Sequence, residues 1–209
     1  DEDEDLHTIA NHLPFEKIKQ ITVHRGSTVQ LLYRCNTLPK AINICGNLGE
    51  SVCQTKEEMA SRLTIDSIAE LCDREGVENI NIFDDSKTYK SIDSIVYSYD
   101  GKRLLKCPRG KTGQVTIPKG TEIIAANAFK HCHIDSVSFP STLIQLENDA
   151  FASSTVKKID FGIGIKAIGW FSFMNCRELK SIVIPHQMEV IEKSVSYTHL
   201  RAHETSAHL

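Results

Sequence analysis

A single spacing constrains this chain more than anything else in it. Pro118, Pro140, Gly162 and Pro185 stand 22, 22 and 23 residues apart, and Ile124, Leu146, Ile168 and Ile191 keep the same step. The pairs Ala128-Phe129, Ala150-Phe151 and Ser172-Phe173 follow it, as does the trio Cys132, Ser154, Cys176. The one added residue falls between Cys176 and Leu179, where a loop absorbs it. Within each unit, apolar residues recur at i, i+3 and i+5: Ile134/Val137/Phe139, Val156/Ile159/Phe161 and Leu179/Ile182/Ile184. The last two of each set alternate as in a short strand with one face buried. The proline or glycine that follows stops the strand. A second short apolar segment comes next, then a small residue and an aromatic that would plug the inside of a coil. A unit this short cannot bury its own apolar face, so units must stack. The expected fold is a solenoid, with short parallel β-strands on one face and turns or short helices on the other.

These residues resemble the BspA-type leucine-rich repeats, whose units read roughly L-x-x-I-x-I-P, V-x-x-I, A-F, C and again L. "TIPKGTEIIAANAFKHCHIDSVSFP" matches nearly every position of that pattern. Residues 77–118 resemble an interruption common in the family, a strand followed by "idGvLyskDGktLl-yP-gktg". The same stretch reads as a hairpin near 92–107. Ile95 to Ser98 and Leu104 to Cys107 flank "YDGK", in which Asp100-Gly101 is a strong tight-turn pair. The resemblance covers residues 77–195 and implies a leucine-rich repeat solenoid there. It further implies a surface-associated or secreted protein that binds host proteins, matrix proteins or other cells.

Residues 1–76 carry weaker signals. "IKQITV" (Ile18, Ile21, Val23) repeats the i, i+3, i+5 spacing and "KAINI" repeats part of it. Residues 55–75 predict a helix, with Thr55 and Glu58 as a capping box and Gly76 as a stop. This region is expected to be either degenerate repeats or a separate cap over an exposed core end. The acidic opening "DEDED" reads as a solvated, frayed end of a fragment or trimmed chain, not as a signal peptide. At the other end, "SYTHLRAHET" resembles the conceptual translation of a sequencing-library adapter. The repeat also breaks there, since Ser196 stands where the next aromatic is due. Residues 196–209 are therefore expected to be a non-native tail, and a metal site at His199 and His203 is discounted with it.

Composition closes several routes. The formal charge of -3 and pI near 6.3 give no global footprint for nucleic acid or an anionic membrane. No run of about 18 apolar residues offers a membrane span. Seven cysteines without a CxxC pair argue against a zinc ribbon and outline no disulfide framework. There is no N-x-S/T sequon.

Tempting motifs weaken on inspection. "FKHCH" places Cys132 between His131 and His133, but Cys132 is a repeat position that Ser154 and Cys176 also fill. Gly110-Lys111-Thr112 ends like a phosphate loop but has Leu105 where the earlier glycine is required. "GNLGES" (46–51) lacks dinucleotide spacing, and Cys35, Cys45 and Cys53 are too irregular for a ligand set. No catalytic residue, metal or cofactor is expected. Trp170 beside the repeat aromatic Phe173 is expected either to pack or to stand exposed as a partner anchor. The best binding candidates are the outward residues of the strand ladder: Asp135, Ser136 and Ser138, then Lys157, Lys158 and Asp160, then Lys180 and Ser181. Adjacent strands lie about 4.8 Å apart, so these form a strip that a protein partner could read. The expected function is non-catalytic protein binding or adhesion. The alternatives are an intracellular scaffold using the same strip, or repeats that position a catalytic part outside 77–195.

Overall fold

A computed structural model of the chain describes residues 17–23, 32, 35, 37–45, 64–83, 88–186 and 190–191. The chain divides into two compact units, residues 1–111 and 112–209.

In the first unit, β1 (Gln20–Val23), β2 (Ala41–Cys45) and β3 (Asn79–Phe83) pair in parallel. "IKQITV" and "KAINI" therefore supply strands, stacked on the strand at the head of the resembling region. The middle strand buries Ile42, Asn43 and Ile44. A buried amide needs partners, and the register gives them. Asn43 Nδ2 donates to Thr22 Oγ1 (3.3 Å), Asn81 Nδ2 donates to Asn43 Oδ1 (2.9 Å), and Ser94 Oγ donates to Asn81 Oδ1 (3.0 Å). Between β2 and β3 the chain forms α1 (Ile65–Cys72), which packs Ile68, Leu71 and Cys72 into the same core as Ile42, Ile44 and Ile80. Its N-cap is Thr64, whose Oγ1 accepts from the Ser67 N–H at 3.2 Å. The expected cap at Thr55 and Glu58 lies outside the described residues. Gly76 does follow the helix, at φ +86°, after a C-cap at Asp73.

Two tight hairpins complete this unit. β4 (Tyr89–Ile92), β5 (Ile95–Ser98) and β6 (Arg103–Lys106) run antiparallel. The expected turn at Asp100-Gly101 is present and its chemistry is local. Gly101 sits at φ +78°, Asp100 Oδ1 accepts from Ser98 Oγ (2.6 Å) and the Lys102 N–H (3.0 Å), and Ser98 Oγ accepts from the Arg103 N–H (3.0 Å). A second turn joins β4 to β5 through Asp93 and Ser94 alone, both with positive φ (49° and 62°). That is the left-handed pair that matches the strand twist.

The second unit is a parallel β-solenoid. β7 (Thr112–Thr116), β9 (His133–Ser138), β11 (Lys158–Asp160) and β13 (Ser181–Val183) form one ladder. Two-residue strands β8 (Ile123–Ile124), β10 (Gln145–Leu146), β12 (Ala167–Ile168) and β14 (Val190–Ile191) form another. Ile124, Leu146, Ile168 and Ile191 are register partners, one per coil. The recurring phenylalanines stack as a column inside: the Phe129 and Phe151 rings are nearly parallel with centroids 4.7 Å apart, and those of Phe151 and Phe173 lie 5.6 Å apart. Phe139 and Phe161 form a second column, 5.0 Å apart, against the first.

The turn opposite the long strands is held by coil-to-coil backbone bonds. Asn127, Phe129 and His131 N–H groups donate to the carbonyls of Asn148, Ala150 and Ala152 (2.7–3.1 Å). Asp149, Phe151 and Ser153 donate in the same way to Trp170, Ser172 and Met174 (2.7–2.8 Å). Such a path needs two left-handed residues per coil. They are Asn127 and His131, Asp149 and Ser153, and Phe171 and Asn175, all with φ between 55° and 60°. Asn and Asp tolerate this conformation because their short polar side chains bond locally.

Candidate functional site

The eight strip residues fall into three rows across the long ladder. Asp135, Lys157 and Lys180 make the first, joined by backbone bonds of 2.9 Å from each lysine N–H to the preceding coil. Ser136, Lys158 and Ser181 are direct register partners in the second. Ser138 and Asp160 align in the third, which Val183 extends. The alternation that buries Ile134, Val137 and Ile159 turns these side chains outward. Asp135, Ser138, Lys157, Lys158, Asp160 and Lys180 are exposed, while Ser136 and Ser181 are half-buried.

The charges in the strip are not equivalent. Lys157 Nζ binds Asp135 Oδ1. That hydrogen bond, with the carboxylate charge behind it, holds the Lys157 ammonium above its ordinary range. Asp160 Oδ1 accepts from the Gly162 N–H at 3.2 Å and closes the strand. Lys158 and Lys180 have no side-chain partner among the described residues, so they are the strip's available cations. The ladder also adds residues the sequence reading passed over. Gln114 pairs with Ser136 and Thr116 with Ser138; Gln114 Nε2 donates to Ser138 Oγ at 3.0 Å. The 22-residue step from 116 to 138 was the signal for them.

A second surface feature lies over the short ladder. Gln145, Glu147, Asn148, Gly169 and Trp170 line an open hollow of about 400 Å³, with Leu146 and Ile168 beneath. Trp170 is 43% exposed and its neighbour Phe171 39%.

The other sequence candidates resolve into structure. His131 is one of the left-handed turn residues, His133 begins β9, and Cys132 is buried with its N–H on the Phe129 carbonyl (3.1 Å). Its equivalents behave alike: Cys176 Sγ donates to the Phe151 carbonyl (3.0 Å) and lies 3.6 Å from Ser154 Oγ. Burial pushes the Cys176 thiol up. This position takes a small inward hydrogen-bonding group, and thiol or hydroxyl serves. Among the described residues no three or more His, Cys, Asp or Glu side chains gather where they could hold a metal. Lys111 of the Gly110-Lys111-Thr112 stretch binds the Asp93 carbonyl (2.8 Å) and carboxylate (3.3 Å), and Gly110 N–H donates to Val77 O. Cys35 is buried, which pushes its thiol up, and Cys45 is half-buried. Cys53 and residues 46–51 lie outside the described residues. No helix among the described residues is long and apolar enough to cross a membrane.

Comparison with known proteins agrees with this geometry. Residues 108–205 match the model of the BspA type leucine rich repeat region, in six copies. The match thus runs into the stretch expected to be a non-native tail, which is not among the described residues. The search of curated proteins finds no match. Among solved structures, the chain is similar to a leucine-rich repeat protein from Eubacterium ventriosum ATCC 27560, with 22% identity and a TM-score of 0.53. That likeness covers 72% of this chain and 37% of the other, so the chain spans well under half of its neighbour's length. Weaker likenesses are to a leucine rich cell surface protein from Faecalibacterium prausnitzii A2-165 (15% identity, TM-score 0.40, 79% of this chain and 42% of that one) and to the pneumococcal vaccine antigen PcpA (17%, 0.37, 82% and 32%). The 22-residue coil, the phenylalanine column and the family match agree: residues 108–205 are a BspA-type leucine-rich repeat region.

Proposed function

We propose that the chain is a non-catalytic protein-binding module of a surface or secreted protein, and that the strand strip of the second unit is its binding face. The observation that supports this most is the regular outward display of Lys158 and Lys180 among hydroxyl groups on a ladder whose other face is locked in the core. Stacked strands hold these groups at fixed spacing, so a protein partner loses little freedom in ordering them. Leucine-rich repeats generally bind proteins, and the BspA resemblance extends this to host or matrix proteins and adhesion. Cations with hydroxyls beside them suit an acidic, polar partner surface, where charge governs approach rate and choice of partner more than affinity.

The test is surface plasmon resonance against immobilised extracellular-matrix proteins. Reversing Lys157 and Lys158 to Glu is expected to abolish binding while the melting temperature stays within a few degrees. The Lys157–Asp135 pair is solvent-exposed on both sides, where such pairs contribute about 0–1 kcal/mol. Binding that is unchanged in the double variant moves the site off the strip.

A further inference from the structure

Trp170 and Phe171 break the repeat in two adjacent places at once. The coil position of Trp170 holds Ala126 and Asn148 in the two preceding units, and that of Phe171 holds Asn127 and Asp149. Neither aromatic contributes to the core column, which Phe173 supplies. Phe171 adopts φ 55°, where Asn and Asp are at ease and a bulky side chain is an outlier. A conformational cost retained for an exposed ring points to use of that ring rather than to packing.

The surroundings fit such a use. The Trp170 N–H donates to Asn148 Oδ1 at 2.9 Å, its carbonyl accepts from Asp149 N–H at 2.8 Å, and the Phe171 ring lies against the indole (centroids 6.4 Å apart). The Trp170 backbone is thus fixed through both its N–H and its carbonyl, and the indole, with Phe171 on one side, stands at the rim of the hollow. Gly169 lets its coil approach the preceding one closely, because a Cβ there would stand 2.6 Å from Asn148 Oδ1 and 2.8 Å from its backbone nitrogen. The preceding units carry Ala125 and Glu147 at that position. Beside the indole the hollow offers two carboxamides, Gln145 and Asn148, and one charged group, Glu147, whose Oε2 accepts from the Ala126 N–H at 3.1 Å.

We propose that this hollow is a carbohydrate subsite, with Trp170 as the stacking platform for a neutral pyranose ring. A sugar ring pairs an apolar C–H face with a fringe of hydroxyls, each both donor and acceptor. A flat, half-exposed indole meets the first, and carboxamides, which carry donor and acceptor together, meet the second. Among the described residues the lining holds one carboxylate and no lysine or arginine, which disfavours nucleic acid, phosphate and sulfated glycans. The volume suits a small ligand or the end of a longer chain. The site is distinct from the strand strip and does not depend on it.

Trp170 is the chain's single tryptophan, so its emission reports on the hollow directly. The probes are cellopentaose, maltopentaose, chitopentaose and mannopentaose, titrated into the full chain to about 10 mM, with calorimetry in parallel. At least one is expected to shift the emission saturably. Trp170→Ala should remove the calorimetric signal, and Asn148→Ala should weaken binding about tenfold. Phe171→Asn restores the repeat residue, so it should weaken binding while the melting temperature holds or rises, which separates a lost ring from a lost fold. Lys158→Glu should leave sugar binding unchanged even where it abolishes protein binding, so this site and the strip stand or fall separately. Silence from all four sugars, sugar binding that survives Trp170→Ala, or emission that answers only to a proline-rich peptide would each overturn the assignment.

Discussion

At the scale of single residues, the repeat explains which positions are free to vary and which are not. Phe151 is fully buried and touches rings on three sides, Phe129, Phe139 and Phe173. Its truncation leaves a cavity whose walls are themselves rings held from the next coils, so they cannot collapse into it. Phe151→Ala is expected to destabilise by about 3–5 kcal/mol in urea unfolding; a loss below about 1 kcal/mol would contradict the stacked register. Such inward positions were legible in the sequence because only a large apolar group fills them and the same type recurs. The left-handed positions were not. His131, Ser153 and Asn175 share one backbone conformation with no common side chain, since the requirement falls on φ and several residue types meet it. That is why "FKHCH" imitates a metal site when it is a turn.

At the scale of elements, legibility follows how local the determining chemistry is. The Asp100-Gly101 hairpin could be read because the aspartate and glycine make the turn themselves, whereas the Asp93-Ser94 turn uses a less distinctive pair for the same geometry. Strands β1, β2 and β3 repeat at steps of 21 and 38 residues without a recurring aromatic, so only their pairing in space reveals a common ladder. The strip residues were legible as outward positions, but the Asp135–Lys157 pairing was not, since it arises between coils. The hairpin also carries a pH signature. The Ser98 hydroxyl, and after it the Lys102 N–H, hold the Asp100 carboxyl below its ordinary range. Its folded value lies below its unfolded one, so its contribution is complete above about pH 4 and fades as the pH falls through the lowered value. Ser98→Ala is expected to move the NMR titration of Asp100 upward toward about 3.9. An unmoved titration would show that this hydroxyl does not hold the carboxylate.

At the scale of the whole repeat unit, the pairing pattern sets how far a disturbance travels. Each coil of the second unit bonds to the coil before and the coil after, and the Phe column has the same nearest-neighbour character. A stack built this way behaves as a one-dimensional array in which energy couples across a shared interface and no further. Phe129 and Phe151 meet face to face at 4.7 Å, and such ring pairs contribute about 0.5–1.5 kcal/mol beyond their buried area. A double-mutant cycle of Phe129→Leu with Phe151→Leu is therefore expected to show a coupling of that order, about 1 kcal/mol. Phe129→Leu with Phe173→Leu should instead be additive within about 0.5 kcal/mol, because an intact Phe151 stands between them. Equal coupling in the two cycles would mean that the unit responds as one globular core. Then the strip and the hollow, which depend on separate coils holding their own geometry, could not be altered one without the other.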